Sequence, residues 1–457
     1  MKKNVLFIVL VIFAIHTNAQ FNNSRATSVP VSNQIGLEPG TQKIIHYNDS
    51  TDIVLSRLLN GESRFYLLED NNPNAKVLDS YDFGLTNMII HDFEIYDDMI
   101  FFCGSYHNGN TNRGYIARSH VSTFFSSNPQ YFFSEIDTMS SINKLKVYFS
   151  NNPQLQDGVT VAAIGNQYIN EGAYINYVIP DKNISGGETY DMFAKMLYTL
   201  NETFEDLLVI EEYVVILGKA YLNYDVFTLR IHEKYNPYIF NNQAFQFSDT
   251  IELENYMLEK LDENDINFFS IGMSAYNIKG IQGINSGIIL GLVHINNLIP
   301  SLDTILITSI NQPVGFLRDL HYNSNLNKVY ALKTTDENIL YTYNLNINTY
   351  PYAENYLQIQ RDQYDMGVLF KGITQCETDE LKLAGINRDN ELHLFEKIIS
   401  NQNSSPCHII GPSIIESIKN PDILYYPQTD IYSRYSPSNI IDIKHLHSGE
   451  YLINCEE

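Results

Sequence analysis

Residues 91–120 read HDFEIYDDMIFFCGSYHNGNTNRGYIARSH and contain a complete unit of short strands. The pattern predicts a strand over Asp92–Tyr96, a tight turn at Asp97-Asp98, a strand over Met99–Gly104 and, after a polar loop, a strand over Tyr115–His120. Aspartate favours turns, whereas the aromatic and aliphatic residues on either side suit a pleated, half-buried surface. The stretch therefore defines a β unit that can be sought elsewhere in the chain.

Looser copies of this unit recur along the whole chain. In five of them the second strand ends in glycine, which indicates a β-bulge or a close approach of another backbone; these glycines are Gly104, Gly165, Gly218, Gly272 and Gly385. Third strands recur about every 50–60 residues, starting at Tyr115, Ala173, Val226, Gly287, Ile339 and Glu391. Four short strands per period are typical of a propeller. We therefore expect an all-β fold, a β-propeller of seven four-stranded blades, with six or eight blades as alternatives.

The ends of the chain do not fit the repeat in a simple way. First strands are expected near residues 92, 145, 206, 256, 319, 368 and 442, and the last unit is incomplete. Strands before the first full unit, including a hairpin around Asn60-Gly61, are left over. We expect these N-terminal strands to close the ring by completing the C-terminal blade at Ile440–Cys455, because closure removes free sheet edges. The acidic stretch Asp249–Asp265 is compatible with a short helix.

The stretch DFEIYDDMIFFCGSY and the following GYIARSHV resemble the blades of poorly characterised secreted bacterial β-propeller proteins. This resemblance extends over nearly all of the chain after Thr41 and implies a propeller fold and export, but no catalytic residue. A second segment, Ile441–Ile453, is similar to the closing part of C-terminal sorting domains used for outer-membrane export. We favour the alternative that it forms the last hairpin of the ring.

The N-terminus has the pattern of a signal peptide. Lys2 and Lys3 precede the apolar run Val5–Ile15, which is too short to span a bilayer, and a small residue, Ala19, follows. We expect residues 1–19 to be removed, residues 20–40 to form a flexible leader, and residues 41–457 to form the propeller. The product would be periplasmic, secreted or at the cell surface, with no integral membrane segment after cleavage.

The composition limits the classes of partner. Asp and Glu number 53 against 29 Lys and Arg, a balance that disfavours nucleic acid and anionic lipid. Four cysteines are too few for a disulfide framework in a chain of 457 residues. Cys103 and Cys376 are expected to be buried, while Cys407 and Cys455 either pair or remain free. We expect a monomer without a cofactor.

The stretch Asn401–Ser438 is rich in tyrosine, punctuated by proline, and interrupts the repeat. It predicts an insertion on the propeller, since long irregular stretches in compact domains are often functional. Its tyrosines could stack on sugars or contact a protein partner, because tyrosine offers a rigid surface with a polar tip; the candidate binding residues are Tyr425, Tyr426, Tyr432 and Tyr435. Packing of the insertion against the propeller would explain them equally well.

Acidic residues and histidines supply the remaining candidates for a site. An aspartate begins four of the first strands and could line a channel, but residues that recur with a repeat are usually structural, which we favour; these are Asp92, Asp206, Asp319 and Asp442. His445 and His447 would share one face of a strand, yet no third ligand follows, so no metal site is predicted. Asp97-Asp98 and Asp262–Asp265 lack the spacing of a calcium loop and are predicted to be turns.

No catalytic residue can be assigned, because the sequence contains no nucleophile elbow, zinc-binding helix motif or phosphate-binding loop. The repeat without a catalytic signature predicts a binding or interaction scaffold for a protein or a glycan. The alternative is a hydrolase or lyase that acts on extracellular glycans with acidic residues at the mouth of the channel.

Overall fold

A computed structural model describes most of the chain between residues 26 and 442. The described ranges are 26–29, 42–57, 62–69, 72–79, 88–107, 109–126, 131–136, 139–150, 158–168, 171–180, 193–198, 202–210, 212–220, 226–234, 240–247, 251–261, 268–276, 286–308, 315–334, 338–344, 352–359, 369–375, 380–386, 392–398, 414–416, 422–424, 431–433 and 441–442. The predicted signal peptide lies outside them, so cleavage and export stay predictions.

Almost all of the described residues are in β-strands. In chain order the strands are β1 (Ala26–Val29), β2 (Gln42–Asn48), β3 (Thr51–Arg57), β4 (Ser63–Glu69), β5 (Asn72–Asp79), β6 (Ile89–Tyr96), β7 (Met99–His107), β8 (Asn112–His120), β9 (Phe132–Ile136), β10 (Ser141–Ser150), β11 (Gly158–Tyr168), β12 (Glu171–Pro180), β13 (Phe193–Tyr198), β14 (Glu202–Val209), β15 (Tyr213–Ala220), β16 (Val226–Glu233), β17 (Phe240–Gln246), β18 (Glu252–Lys260), β19 (Phe268–Tyr276), β20 (Ser286–Asn296), β21 (Ile299–Thr308), β22 (Phe316–Asn323), β23 (Lys328–Thr334), β24 (Asn338–Asn344), β25 (Tyr352–Ile359), β26 (Leu369–Gln375), β27 (Glu380–Ile386), β28 (Leu392–Ile398), β29 (Ile414–Glu416), β30 (Asp422–Leu424), β31 (Ile431–Ser433) and β32 (Ile441–Asp442).

Within the described residues, these strands form seven antiparallel units, which we call blades 1 to 7. Blades 1 to 6 are the successive four-strand groups β2–β5, β6–β9, β10–β13, β14–β17, β18–β21 and β22–β25, and blade 7 contains β26–β28. Blades 3 and 4 also share one backbone pairing, a parallel bridge between Glu171 and Glu202. The first strands of successive blades pack side by side, and β26 of blade 7 lies against β2 of blade 1. The fold is a β-propeller of seven blades, as the repeat predicts.

An N-terminal strand completes the last blade, as expected, but the sequence assigned the wrong strands to that blade. Residues 42–79, expected to complete the last blade, form blade 1 by themselves. Ile441–Asp442, expected to begin the last blade, instead pairs with β9 at the outer edge of blade 2. Blade 7 ends at β28, whose partner is β1, a strand within the predicted leader. The assignment failed because the strands of blade 1 lack the glycine that marks blades 2 to 5 and blade 7.

The C-terminal segment forms a series of short strands along the outer edges of the blades, which we call the rim strands. They add to blades 5, 4, 3 and 2 in that order, as β29 on β21, β30 on β17, β31 on β13 and β32 on β9. The segment therefore travels around the ring in the direction opposite to the rest of the chain. Paired edges no longer present free backbone groups to other chains.

The apolar core is divided among the interfaces between neighbouring blades. Between blades 1 and 2 the ring of Phe65 contacts the rings of Phe93 and Phe124 edge-on, with centroids 5.2 and 5.1 Å apart. Phe124 is positioned by the single helical turn α1 (Val121–Phe124). Such aromatic pairs stabilise by about 0.5–1.5 kcal/mol beyond the area that they bury. The interface between blades 1 and 2 is thus filled by aromatic side chains that pack edge to face.

Few described residues are helical. The stretch compatible with a short helix, Asp249–Asp265, contains strand β18 instead, so that interpretation was wrong. In the described part of the chain, no helix is long and apolar enough to span a membrane. The turn predicted at Asp97-Asp98 is confirmed, with φ of 47° and 60°, values that suit a two-residue hairpin turn.

The glycine at the end of each second strand lies opposite a β-bulge in the first strand. The pairing shifts register between Ile90 and Asp92 opposite Gly104, and between Ile142 and Lys144 opposite Gly165. A Cβ on Gly104 would lie 1.8 Å from the carbonyl oxygen of Ile89. The bulge and close approach predicted from the glycines are confirmed. In blade 6 the bulge faces Lys333, where the repeat has no glycine.

The recurrent aspartates directly follow these bulges and join one blade to the next. A bulge removes backbone groups from the ladder, so their N–H groups need other acceptors. In three blade pairs the aspartate of one blade accepts a bond from the next blade: Leu145 N to Asp92 Oδ2 at 3.0 Å, Leu258 N to Asp206 Oδ2 at 2.7 Å, and Ile373 N to Asp319 Oδ2 at 2.8 Å. We call these three bonds the aspartate bridges. The structural role favoured from the repeat is confirmed for these three residues.

Removing one bridge should weaken the fold. Asp206 accepts a second bond from Leu207 N, so Asp206→Ala leaves two buried N–H groups without acceptors. We expect the free energy of unfolding in urea to fall by about 2–4 kcal/mol. Asp206→Asn, which keeps one acceptor, should lose less. The exposed Glu252→Ala in blade 5 serves as the control, and an Asp206→Ala loss no larger than the control's would contradict the assignment.

Candidate functional site

Charged side chains from the first strands of five blades converge where those strands pack together. We call this set the central cluster: Lys43 of β2, Glu94 of β6, Lys144 and Lys146 of β10, Glu259 of β18 and His321 of β22. Their side chains are partly exposed, between 19% for Glu94 and 34% for Lys146. These side chains are therefore accessible to a ligand. The protein around them lowers the local dielectric constant, which strengthens their electrostatic interactions.

Glu94 is the hub of the ion pairs in the cluster. Its Oε1 atom accepts hydrogen bonds from Lys43 Nζ at 2.8 Å and from Lys146 Nζ at 2.5 Å. Lys43 Nζ also donates to Asp92 Oδ1 at 2.9 Å. Burial raises the pKa of Glu94, but Lys146 and Lys43 outweigh it and lower the value to about 2. Glu94 is therefore ionised throughout the neutral range.

Glu259 occupies the opposite electrostatic environment. Its Oε1 atom accepts a bond from Tyr322 N at 2.8 Å and lies 3.9 Å from Nδ1 of His321. Burial raises the pKa of Glu259 to about 8, with the bond from Tyr322 N lowering it and Asp319 raising it further. The Glu259 carboxyl is therefore mostly protonated at pH 7 and can donate a hydrogen bond.

Groups from opposite sides of the ring act on one another through the centre. Burial lowers the pKa of Lys144, but Asp206 and Asp92 outweigh it, and the value is raised. Asp319, two blades away from Asp206, contributes to the same increase. Burial raises the pKa of Asp319 to about 6, while the bond from Ile373 N and the charge of Lys144 lower it. The cluster therefore behaves as one electrostatic unit.

The structure contributes little on the tyrosines predicted to bind a ligand. Tyr432 lies in the rim strand β31, opposite Leu197 of β13. Tyr425, Tyr426 and Tyr435 lie outside the described residues. The binding role of all four tyrosines stays a prediction.

Other candidates from the sequence are placed as follows. Asp442 lies opposite Glu135 in the backbone pairing of β32 with β9. Cys103 is buried in β7 with a free thiol, as expected. His445, His447, Cys376, Cys407 and Cys455 lie outside the described residues, as does the stretch Asp262–Asp265. No three His, Cys, Asp or Glu side chains within the described ranges are grouped as a metal site requires.

The residues of the central cluster were missed in the sequence, although a signal was present. Side chains two positions apart on a strand point to the same face. Glu94 follows Asp92, Lys146 follows Lys144, and His321 follows Asp319, each by two residues on a first strand. If the residue that follows the bulge faces the centre of the ring, the residue two positions later should face the centre as well.

Comparison with known proteins identifies no family. No protein-family model matches the chain, and no curated protein matches it significantly.

Three of the solved structures with a similar fold match most of this chain. The β-propeller domain of Cps50 (Swd1) from Myceliophteria thermophila is 7% identical, with 77% of this chain and 98% of that chain covered and a TM-score of 0.46. The polysaccharide lyase Uly1 is 6% identical, with coverages of 81% and 92% and a TM-score of 0.45. The N-terminal domain of Nup159 is 8% identical, with coverages of 82% and 95% and a TM-score of 0.37. At these values nothing that they do is transferred to this chain.

The raised pKa of Glu259 predicts a pH-dependent contribution to stability. An acid with a raised pKa in the folded state binds its proton more tightly there than when unfolded, so its contribution is lost as pH rises through that value. From about pH 5 to about pH 8, the wild type should lose stability relative to Glu259→Gln, which carries no proton to lose. Urea midpoints measured across this range test the expectation. If the urea midpoints of the wild type and of Glu259→Gln change with pH in the same way, the expectation is contradicted. The control Glu252→Gln, at an exposed site, should show the same pH dependence as the wild type.

Proposed function

We propose that this protein is an exported binding scaffold that holds a polar ligand at the central cluster. The observation that supports the proposal most is the convergence of donors and acceptors from five blades on one partly exposed place. Ligand sites typically combine a rigid frame with a few convergent polar groups. The first strands supply such a frame, because the aspartate bridges fix them to one another.

The partial exposure of the cluster separates a binding role from a purely structural one. The buried pair Lys382 Nζ and Asp52 Oδ2, 2.6 Å apart between blades 7 and 1, is 3% and 2% exposed and has no access to a ligand. Lys144 and Lys146, by contrast, are each about one third exposed. A glycan or a polar segment of a protein would offer the hydroxyl, amide or charged groups that such side chains bind.

A thermal-shift screen of the folded protein tests the proposal. Neutral and charged oligosaccharides, short peptides and divalent cations form the panel, since a ligand bound only by the folded state stabilises it by about 2.7 kcal/mol at a hundredfold excess over Kd. We expect one ligand class to raise the Tm of the wild type and of the exposed control Lys76→Gln. The same ligand class should leave the Tm of Lys146→Gln unchanged.

Two results would overturn this assignment. A panel without any Tm shift would argue against the scaffold, and a shift retained in Lys146→Gln would move the site away from the cluster. A shift that disappears instead in the double variant Tyr425→Ala, Tyr426→Ala would place the site on the tyrosine-rich segment.

A second candidate function is the cleavage of a glycan by hydrolysis or elimination. It is favoured by the opposite pKa shifts of two carboxyl groups in one cluster, to about 2 for Glu94 and about 8 for Glu259. Enzymes that use a general acid and an ionised carboxylate separate the two pKa values in this way.

An activity assay distinguishes the two functions. Any glycan found in the screen is incubated with the wild type, Glu94→Gln and Glu259→Gln, and new reducing ends or unsaturated products are measured. An enzyme should lose at least about a hundredfold in rate in both variants, the contribution of a single acid or base. Binding without any product would leave the scaffold as the function.

A further inference from the structure

Three polar groups in the central cluster have bonding capacity that the described part of the chain does not use. The hydrogen bonds from Lys43 and Lys146 both go to the Oε1 atom of Glu94, and the bond from Tyr322 N goes to Oε1 of Glu259. Among the described residues, neither Oε2 atom has a hydrogen-bond partner. Lys144 Nζ has its nearest carboxylate oxygen, Oδ1 of Asp206, at 3.8 Å, which is beyond hydrogen-bonding distance. An acceptor, a carboxyl group and an ammonium group are therefore available to a ligand.

The aspartates of the bridges do not compete for this role. Asp206 and Asp319 each use both carboxylate oxygens on backbone N–H groups, and Asp92 uses one on Leu145 N and the other on Lys43. Their contribution to the site is a fixed negative charge. The groups left for recognition are Lys144, Glu94 and Glu259.

The charges around the centre are nearly balanced. The ammonium groups of Lys43, Lys144 and Lys146 face the carboxylates of Asp92, Glu94, Asp206 and Asp319, while Glu259 is mostly neutral at pH 7. An anionic ligand at Lys144 would meet the aspartates, and a cationic ligand at Glu94 would meet the lysines. A neutral ligand avoids both repulsions, and a hydroxyl group can donate to Glu94 while accepting from Lys144.

We propose, on the basis of the function proposed above, that the central cluster binds a neutral saccharide through adjacent hydroxyl groups held by Lys144, Glu94 and Glu259. One hydroxyl accepts a hydrogen bond from Lys144 Nζ and donates to Oε2 of Glu94. Its neighbour accepts a hydrogen bond from the protonated carboxyl of Glu259. Two hydroxyls in a fixed relation on a sugar ring suit groups that are fixed on the first strands of one ring of blades.

Binding should then depend on the proton of Glu259. The charged or titratable groups that face this carboxyl are Asp206 of β14, Asp319 and His321 of β22, and Lys146 of β10, and Tyr322 N donates to its other oxygen. Asp319 is already ionised above about pH 6, so Glu259 is the carboxyl of this set that changes state between pH 7 and pH 9. Loss of its proton replaces a donor by a second negative charge.

Isothermal titration with three oligosaccharides of equal length tests the proposal: a neutral one, one containing uronic acid, and one containing an amino sugar. At pH 7 the neutral compound should bind, with affinity lower by about tenfold or more in Lys144→Met and in Glu94→Gln, and unchanged in the exposed control Lys76→Met. Glu259→Gln retains a neutral donor, so it should bind the neutral saccharide at pH 7. Its affinity should stay constant up to pH 9, whereas the affinity of the wild type should fall over that range. Urea midpoints verify that each variant is folded, and Lys144→Met, whose ammonium makes only a 3.8 Å pair, is the variant that disturbs the fold least.

The outcomes separate this inference from the broader function. If a charged saccharide binds in a manner that requires Lys144 and the neutral one does not bind, the neutral class is wrong and the scaffold function stands. If no saccharide binds while another ligand of the screen requires Lys146, the saccharide class is wrong. If binding of every ligand is unchanged in all cluster variants, both the proposed function and this inference fail.

Discussion

The bond between a bulged aspartate and the next blade is the constraint on which the rest of the ring depends. A bulge turns the first strand of each blade, but it also releases N–H groups that cannot reach water. Asp92, Asp206 and Asp319 satisfy these groups in blades 3, 5 and 7. The repeating element is therefore a pair of blades, and seven blades leave blade 1 outside the pairing. Its neighbours are held instead by lysine pairs, Lys43 with Asp92 and Lys382 with Asp52.

This division of roles explains why the acidic residues most visible in the sequence are not those proposed to meet a ligand. An aspartate with both oxygens on backbone donors can neither move nor exchange partners without exposing buried N–H groups. Glu94, two residues beyond Asp92, and Glu259, at the corresponding position after the bulge of β18, have no such obligation. Glu94 and Glu259 experience opposite surroundings, two lysines in one case and a largely uncompensated burial in the other. The scaffold thus places chemically different carboxyls on equivalent positions of equivalent strands.

The sequence was sufficient for the parts of the fold that repeat. Gly104, Gly165 and their counterparts mark the bulges, and the spacing of the third strands predicts a propeller. The count of seven relied on a first strand near Asp442, which the structure places on the rim, whereas residues 42–79 supply the remaining blade. It was insufficient where strands are short and non-repetitive. Rim strands of two or three residues contain no periodicity to detect, and their partners lie far away in the sequence. Ile441, for example, pairs with Ile136, about three hundred residues earlier. The central cluster was missed because its charges differ from blade to blade, so no repeat reveals them.

The pairing of Ala26–Val29 with Leu392–Ile398 has a consequence for how the molecule is made. As the polypeptide leaves the ribosome, β1 emerges early but its hydrogen-bonding partner is synthesised more than three hundred residues later. Blades 1 to 6 can assemble from strands that are neighbours in the sequence, whereas the sheet of blade 7 also needs β1 from the other end of the described chain. Contacts between such distant segments form slowly because a long loop must close first. The pairing of β1 with β28 is therefore expected to be a late step of folding, after blades 1 to 6 have formed.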